Sequence, residues 1–276
     1  MEWSKIKNIV LLILLTVNII LVILVIYRQH QSTAQQDAAV ENMVNVLQNN
    51  GIEFDPSCLP EPQEFSAFSV ERDVALEQEM AESLLGQVEK TDLGGGVSSY
   101  INTSGSATFR SNGEFEIMFL EAGPAAEGDL ESRAKALLQQ MEFETNWETA
   151  VWTETDGKET LTVSQQAGGM QVYGCTANFV FEGDTLRSIS GKRLIGVPQE
   201  NGVLQDTMSP TTAVFLCVQQ KAKGDIYTKI ISVEAGYQAA ASLTEPWELN
   251  PIWQIVTDTG TYLVNASLGT IERENV

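Results

Sequence analysis

The sequence predicts an α+β protein with one N-terminal transmembrane helix, followed by two extracytoplasmic domains of antiparallel sheet with packed helices. An apolar run from Ile9 to Ile26 is interrupted only by Thr16 and Asn18. After it, segments with helical apolar spacing alternate with β-rich segments that tight turns connect. Consecutive strands joined by such turns must be antiparallel. Helices placed between these strands cover one face of the sheet.

The apolar run is long enough to cross a bilayer. About eighteen helical residues at 1.5 Å each span roughly 27 Å, close to the ~30 Å hydrocarbon core. Lys5 and Lys7 precede the run, and Arg28 follows it. The positive-inside rule then predicts a cytoplasmic N-terminus at 1–7, a transmembrane helix at 8–28 and an extracytoplasmic remainder. The sequence therefore predicts a single-pass protein of the cell membrane.

A cleaved signal peptide is the alternative for this segment. Ser32-Thr33-Ala34 offers small residues where a peptidase could cut. The apolar core of a signal peptide is usually about 7 to 15 residues, however, and this run is longer. Both interpretations give the same orientation.

Composition excludes several classes of function. A net charge of −21 repels phosphate backbones, so nucleic-acid binding is not expected. The only histidine, His30, lies beside the membrane, which excludes His-based triads and His-ligated metals from the outer domains. No carboxylate pair stands out among 37 acidic residues. The sequence therefore predicts no catalytic, cofactor-binding or metal-binding residues.

The three cysteines, Cys58, Cys175 and Cys217, are widely spaced and form no CxxC motif. An odd number of cysteines does not predict a framework of disulfide bridges. Buried free thiols and a single bridge between Cys175 and Cys217 both remain open.

Residues 29–50 are expected to form a juxtamembrane helical stalk. Val40, Met43 and Leu47 recur at spacings of three and four residues, which is the helical period. Gly51 follows as the residue that ends this helix.

The first extracytoplasmic domain is predicted at 51–128. Ser69 is expected to cap a helix that Gly86 ends. Gly94-Gly95-Gly96 lacks the Lys-Ser or Lys-Thr of a phosphate loop and is interpreted as a flexible connection. Asn112-Gly113 predicts a hairpin whose two central residues both need a positive φ.

The second domain is predicted at 129–276, after a Gly-, Pro- and Ala-rich linker at 121–128. Asp129 is expected to cap one helix, and Ser209-Pro210 to open another. A strand is expected at Trp147–Thr155. The other predicted strands are Glu159–Gln166, Gln171–Phe181, Leu186–Ile195, Tyr227–Ala241, Ile252–Thr257 and Thr261–Ala266.

Aromatic residues suggest two roles. Trp253 and Tyr262 lie on neighbouring predicted strands, where packing in the core is the expected role. Trp147 and Trp152 are five residues apart on one predicted strand and should face opposite sides. One of these two is then exposed and available to a partner.

Several blocks of sequence match a known pattern. The opening MEWSKIK runs directly into the apolar segment. The other blocks are Gln165–Val172, Gly236-Tyr237, Pro251–Ile255 and Gly260–Ala266 with Gly269. The closing blocks are shared with PepSY-like domains. Together with the opening they resemble the YycI proteins of Gram-positive bacteria, over the anchor and from about residue 129 onward.

This resemblance implies a non-enzymatic regulator of the cell-wall-sensing histidine kinase WalK (YycG), acting with a YycH-like co-regulator. Contact is expected through transmembrane helices and extracytoplasmic domains. Thr16 and Asn18, the polar residues of the lipid-spanning run, are the candidate contact residues. An interhelical hydrogen bond in lipid contributes roughly 0.6 to 2 kcal/mol. Either side chain could instead bond its own helix.

Two other functions fit the same sequence. A PepSY-like domain could inhibit or chaperone a wall-localised hydrolase or protease. A wall hydrolase that uses only carboxylates is the second alternative, and a zymogram would test it.

Overall fold

The computed structural model of the protein describes Leu14, Val17, Asn18 and residues 38–121, 123–124, 128–222, 224–240 and 246–274. Leu14, Val17 and Asn18 are helical and exposed, and the rest of the predicted transmembrane helix at 8–28 lies outside the described residues. Within these residues, none of the helices has the length and apolar content that crossing a bilayer requires. The membrane span stays a prediction.

Beyond residue 37, the described chain is mostly sheet with some helices, the predicted α+β class. The helices are α1 (38–49), α2 (Val74–Leu85), α3 (Leu130–Gln140) and α4 (Pro210–Ala222). The strands are β1 (Phe65–Val70), β2 (Glu89–Gly94), β3 (Val97–Ile101), β4 (Gly105–Arg110), β5 (Glu114–Phe119), β6 (Val151–Thr155), β7 (Lys158–Ala167), β8 (Met170–Glu182), β9 (Thr185–Lys192), β10 (Gln199–Gln205), β11 (Ile230–Ala240), β12 (Trp247–Thr257), β13 (Gly260–Asn265) and β14 (Ile271–Glu274). Short 3-10 turns lie at Pro56–Cys58 and Trp147–Thr149.

The strands form one branched sheet with the order β10-β1-β12-β11-β8-β9-β5-β4-β3-β2. The branches arise because each of two long strands, β8 and β12, pairs with two different strands along one of its edges. β8 pairs along one edge with β7, and along the other with β11 and then β9. β12 pairs with β11 on one edge, and with β1 and then β13 on the other. The β8–β11 pair is parallel, and the other pairs of named strands are antiparallel.

Two large hydrophobic cores hold the helices against this sheet. The first core contains the buried residues of α1 and α4 together with β1, β11, β12 and β13. Phe65 lies at its centre, edge-on to Tyr237 and Trp253 with ring centroids 5.7 and 5.5 Å apart. The second core contains the buried residues of α2 and α3 with β4, β5, β7, β8 and β9. Trp253 and Tyr262 are buried in the first core, which confirms their predicted packing role.

The predicted division at residues 128 and 129 does not coincide with the two cores. β5 lies before this point and pairs with β9, which lies after it. The second core likewise combines residues from both sides, from Leu76 to Ile189. The division into domains at 51–128 and 129–276 stays a prediction.

Local signals in the sequence predicted several elements correctly. The Asp129 carboxylate accepts a hydrogen bond from the Ser132 amide at 2.8 Å and caps α3. The Ser209 hydroxyl accepts one from the Thr212 amide at the start of α4. Asn112-Gly113 lies in the turn between β4 and β5. Among its residues Gly113 alone has a positive φ, so the turn is not the expected type with two such residues.

Three other predictions were wrong. Ser69 lies inside β1, and Asp73 caps α2 by accepting hydrogen bonds from two backbone amides. Gly94-Gly95-Gly96, all at positive φ, form a tight hairpin turn between β2 and β3 rather than a flexible connection. Trp147 lies in a 3-10 turn, because Asn146 accepts a hydrogen bond from the Glu148 amide and bends the chain before β6. Trp147 and Trp152 therefore do not share a strand.

Helix α1 is built into the first core, where Met43 and Leu47 are buried to 0% and 1% exposure. Replacing Leu47 by alanine should lower the free energy of unfolding by about 2 to 5 kcal/mol, because a cavity replaces a packed side chain. Denaturant unfolding measures this loss. Gln48→Ala, at the exposed neighbouring position, is the control. Equal denaturant concentrations at the unfolding midpoint of the two variants would contradict the burial of α1.

Candidate functional site

The predicted contact residues in the transmembrane segment are only partly described. Thr16 lies outside the described residues, and Asn18 is helical and exposed. Leu14 and Val17 beside it are 58% and 49% exposed. The Asn18 amide is therefore an exposed hydrogen-bonding group near two exposed apolar side chains.

The point where the chain enters the folded part is tightly held. Lys221 Nζ of α4 donates a hydrogen bond of 2.9 Å to the Asn50 carbonyl at the end of α1, where the helix dipole favours a cation. Glu53 then forms a parallel bridge with Lys229, and their side chains make an ion pair at 2.6 Å. Together with Met43 and Leu47, these contacts join α1 to α4 and β11. We call this set of contacts the α1 joint.

A buried charge cluster lies where the two cores meet. Arg72 forms a two-point ion pair with Glu77, at 2.8 Å from Nε to Oε1 and 3.0 Å from Nη2 to Oε2. Arg193 is 4% exposed and donates from Nη1 to Met80 Sδ at 2.9 Å. Burial lowers the pKa of Arg193 to about 10, and the nearby Glu77 carboxylate opposes that change. The buried Glu77 carboxylate thus pairs with Arg72 and also acts electrostatically on Arg193.

The backbone of Gly113 packs closely against the backbone of Arg193 next to this charge cluster. The Arg193 amide donates to the Gly113 carbonyl at 2.9 Å. A Cβ at Gly113 would lie 2.4 Å from the Arg193 carbonyl oxygen and 2.7 Å from the Trp247 ring, so only glycine fits there. The adjoining cavity is about 10 Å³, room for no more than about one water molecule. This site is therefore a structural contact between the cores, without space for a substrate.

The described residues offer little for catalysis. They contain no group of three side chains that could hold a metal ion, and His30 lies outside them. Cys175 and Cys217 are buried free thiols, and burial raises the pKa of each to about 11. Such thiols are protonated and unreactive at neutral pH.

Two open clefts lie on the surface of the described residues. One of about 640 Å³ lies between the segment before α2 and the start of β10; it is lined by Ser69, Glu71, Arg72, Asp73, Val197 and Gln199. The other, of about 410 Å³, lies beside α3 and includes Lys135, Glu144 and Trp147. Lys135 Nζ lies 4.7 Å from the centre of the Trp147 ring and covers it. Neither cleft pairs a nucleophile with a base.

The structure answers which of the two tryptophans is exposed. Trp152 is 40% exposed at the edge of the second core, where its ring centre lies 6.0 Å from that of Phe181.

The sequence did not predict the charge cluster around Glu77 and Arg193, because these residues are distant in the chain and carry no motif.

Comparison with known proteins identifies a family. A family model described as YycI protein matches residues 28–267. No curated protein matches the chain. Among solved structures, an uncharacterized protein from Eubacterium rectale is similar at 11% identity and a TM-score of 0.48, over 79% of this chain and 86% of that one. The Bacillus megaterium YpeB C-terminal domain is similar at 13% identity and a TM-score of 0.35, over 75% of this chain and 100% of that one.

Removing the Glu77 charge should destabilise the protein. In Glu77→Gln the Arg72 guanidinium loses its ion-pair partner and the buried Arg193 loses a charge that offsets its burial, and the expected loss in free energy of unfolding is about 3 kcal/mol. This lies at the low end for a buried pair because the Arg72 side chain is 20% exposed. Glu79→Gln, at an exposed position on the same helix, is the control. A Glu77→Gln protein as stable as this control would show that the cluster does not hold the cores together.

Proposed function

The chain belongs to the YycI family, and we propose that it is a membrane-anchored regulator of a histidine kinase of the WalK (YycG) type that has no enzymatic activity of its own. The family is associated with the YycG kinase system and with YycH. The proposed partners are therefore that kinase and a YycH-like co-regulator. In this proposal the N-terminus is cytoplasmic, one helix at 8–28 crosses the cell membrane, and the remainder lies outside.

The observation that best supports this function is the α1 joint. α1 begins only about ten residues after the proposed membrane helix, and its apolar face is part of the first core. We propose that residues 29–37 continue α1 to the membrane helix, so that a displacement of the outer fold moves the membrane helix, and the reverse. That displacement would change the lateral contact between this helix and a partner helix in the membrane. The coupling needed is small, since 1.4 kcal/mol changes an equilibrium tenfold.

The proposed lateral contact is made by Asn18. Thr16, two residues earlier in the same segment, is the second candidate contact residue. An amide in lipid without a hydrogen-bonding partner is unfavourable, which gives a partner helix a specific point to bind. Asn18 also lies among exposed apolar side chains, as a lateral contact in lipid would require.

We expect Asn18→Leu to weaken association with the kinase or the co-regulator. The loss of one interhelical hydrogen bond corresponds to roughly a three- to thirtyfold change in association. Co-purification from membranes and transcription of kinase-controlled genes measure the effect. Val17→Leu keeps the apolar character of the adjacent position and is the control. Unchanged association in Asn18→Leu would count against the contact at this residue.

Replacing residues 8–28 with an unrelated membrane helix separates this function from a PepSY-like inhibitor or chaperone. A regulator that works through its own helix loses control of the kinase, whereas an inhibitor that needs only its outer domain keeps its activity. The test must retain α1, because a chain that starts at residue 51 would lack Met43 and Leu47 from the core. Full kinase control by the chimaera would overturn our proposal.

A further inference from the structure

The described sheet ends in four edge strands, β2, β6, β10 and β14, each of which pairs with a single described neighbour. An edge strand presents unpaired backbone N–H and C=O groups, and so it is a template for another strand. Proteins usually protect such edges with charged residues, bulges or very short strands.

Three of these edges carry such protection. β2 has Glu89, Lys90 and Asp92 and a register shift after Asp92. β14 is a four-residue strand with charges at three positions. β10 bulges away from β1, with Gly202 at a φ of +66° inside the irregular stretch.

β6 is less protected than these three edges, because Glu154 is its single charged residue. It pairs with β7 in regular register from Val151 to Thr155 and contains neither lysine, proline nor glycine. Valine, tryptophan and threonine, the residues that favour strands, occupy four of its five positions. Val151 and Trp152 are 53% and 40% exposed. This strand is therefore a regularly paired edge with two exposed apolar side chains and one charge.

The charges along β6 indicate what would bind there. Glu154 lies directly opposite Glu159 on β7, and like charges in that arrangement repel. Glu154 is two residues from Trp152 and lies on the same face of the strand. A strand added at this edge would relieve the repulsion if it placed a lysine or arginine beside Glu154. Its residue two positions away would then cover the exposed part of Trp152.

We propose that β6 binds an extended segment of a partner protein, which adds to the sheet as a further strand and presents an apolar and a basic residue, two apart, to Trp152 and Glu154. This rests on the proposed function only in supposing a protein partner. A second copy is a poorer occupant, because each chain carries a net charge of −21. Two-fold pairing about Thr153 would also place Trp152 opposite Glu154 instead of opposite a basic side chain.

A synthetic peptide of repeated Val-Thr-Lys-Thr tests the proposal with the full chain in detergent. Fluorescence anisotropy should show tighter binding of this peptide than of repeated Val-Thr-Glu-Thr. In Glu154→Lys the affinity for the lysine peptide should fall about five- to tenfold, since a cross-strand attraction becomes a repulsion. Glu200→Lys makes the same charge change on β10 and should leave the affinity unaltered. The melting temperature of Glu154→Lys should not fall, because the repulsion from Glu159 is removed.

Equal loss in the two variants would overturn the proposal, because it would mean attraction by net charge alone. Absence of peptide binding, or a concentration-dependent dimer that Glu154→Lys abolishes, would overturn it as well. These results are independent of the kinase measurements above. Kinase control without peptide binding refutes only the β6 site, and peptide binding without kinase control refutes only the proposed function.

Discussion

The burial of α1 is the constraint on which the rest of this account depends. Met43 and Leu47 are buried in the first core together with side chains of α4. Moving α1 away from the sheet would therefore expose these apolar side chains to water. Lys221 and the Glu53–Lys229 pair add polar contacts at the same place. The segment expected to be a stalk is therefore, from residue 38 onward, part of the fold. The stalk role stays a prediction for residues 29–37, which lie outside the described residues.

From the α1 joint, a continuous set of contacts reaches the far side of the molecule. β8 contributes Cys175 to the first core and Phe179 to the second, so both cores pack on one strand. The Arg72–Glu77 ion pair and the buried Arg193 lie at the boundary between them, where a rearrangement would leave the Glu77 carboxylate buried without its partner. β7 and then β6 pair beyond β8. In our proposals, binding at β6 and displacement of α1 would therefore act on the same packed body.

Local chemistry made much of the fold predictable, and distant pairing made the rest unpredictable. Asp129 and Ser209 cap helices through side chains next to the first turn, so a short window of sequence contains the whole signal. β1 was missed because its neighbours, β10 and β12, come from more than a hundred residues later in the chain. For the same reason, no local pattern of residues indicated the charge cluster around Glu77 and Arg193 or the position of β6 at an edge of the sheet. Of the candidate contact residues, Asn18 stood out by composition alone, and its partner stays a prediction.

The central claim of our proposal is that α1, which is packed in the first core, couples the outer fold to the proposed membrane helix. The most direct test inserts a flexible glycine-serine segment between residues 36 and 37 and measures kinase-controlled transcription, with membrane recovery and melting temperature recorded alongside. We predict that the inserted protein is recovered from membranes and melts as the original does, yet loses its control of the kinase. Full control with the flexible segment in place would contradict the account.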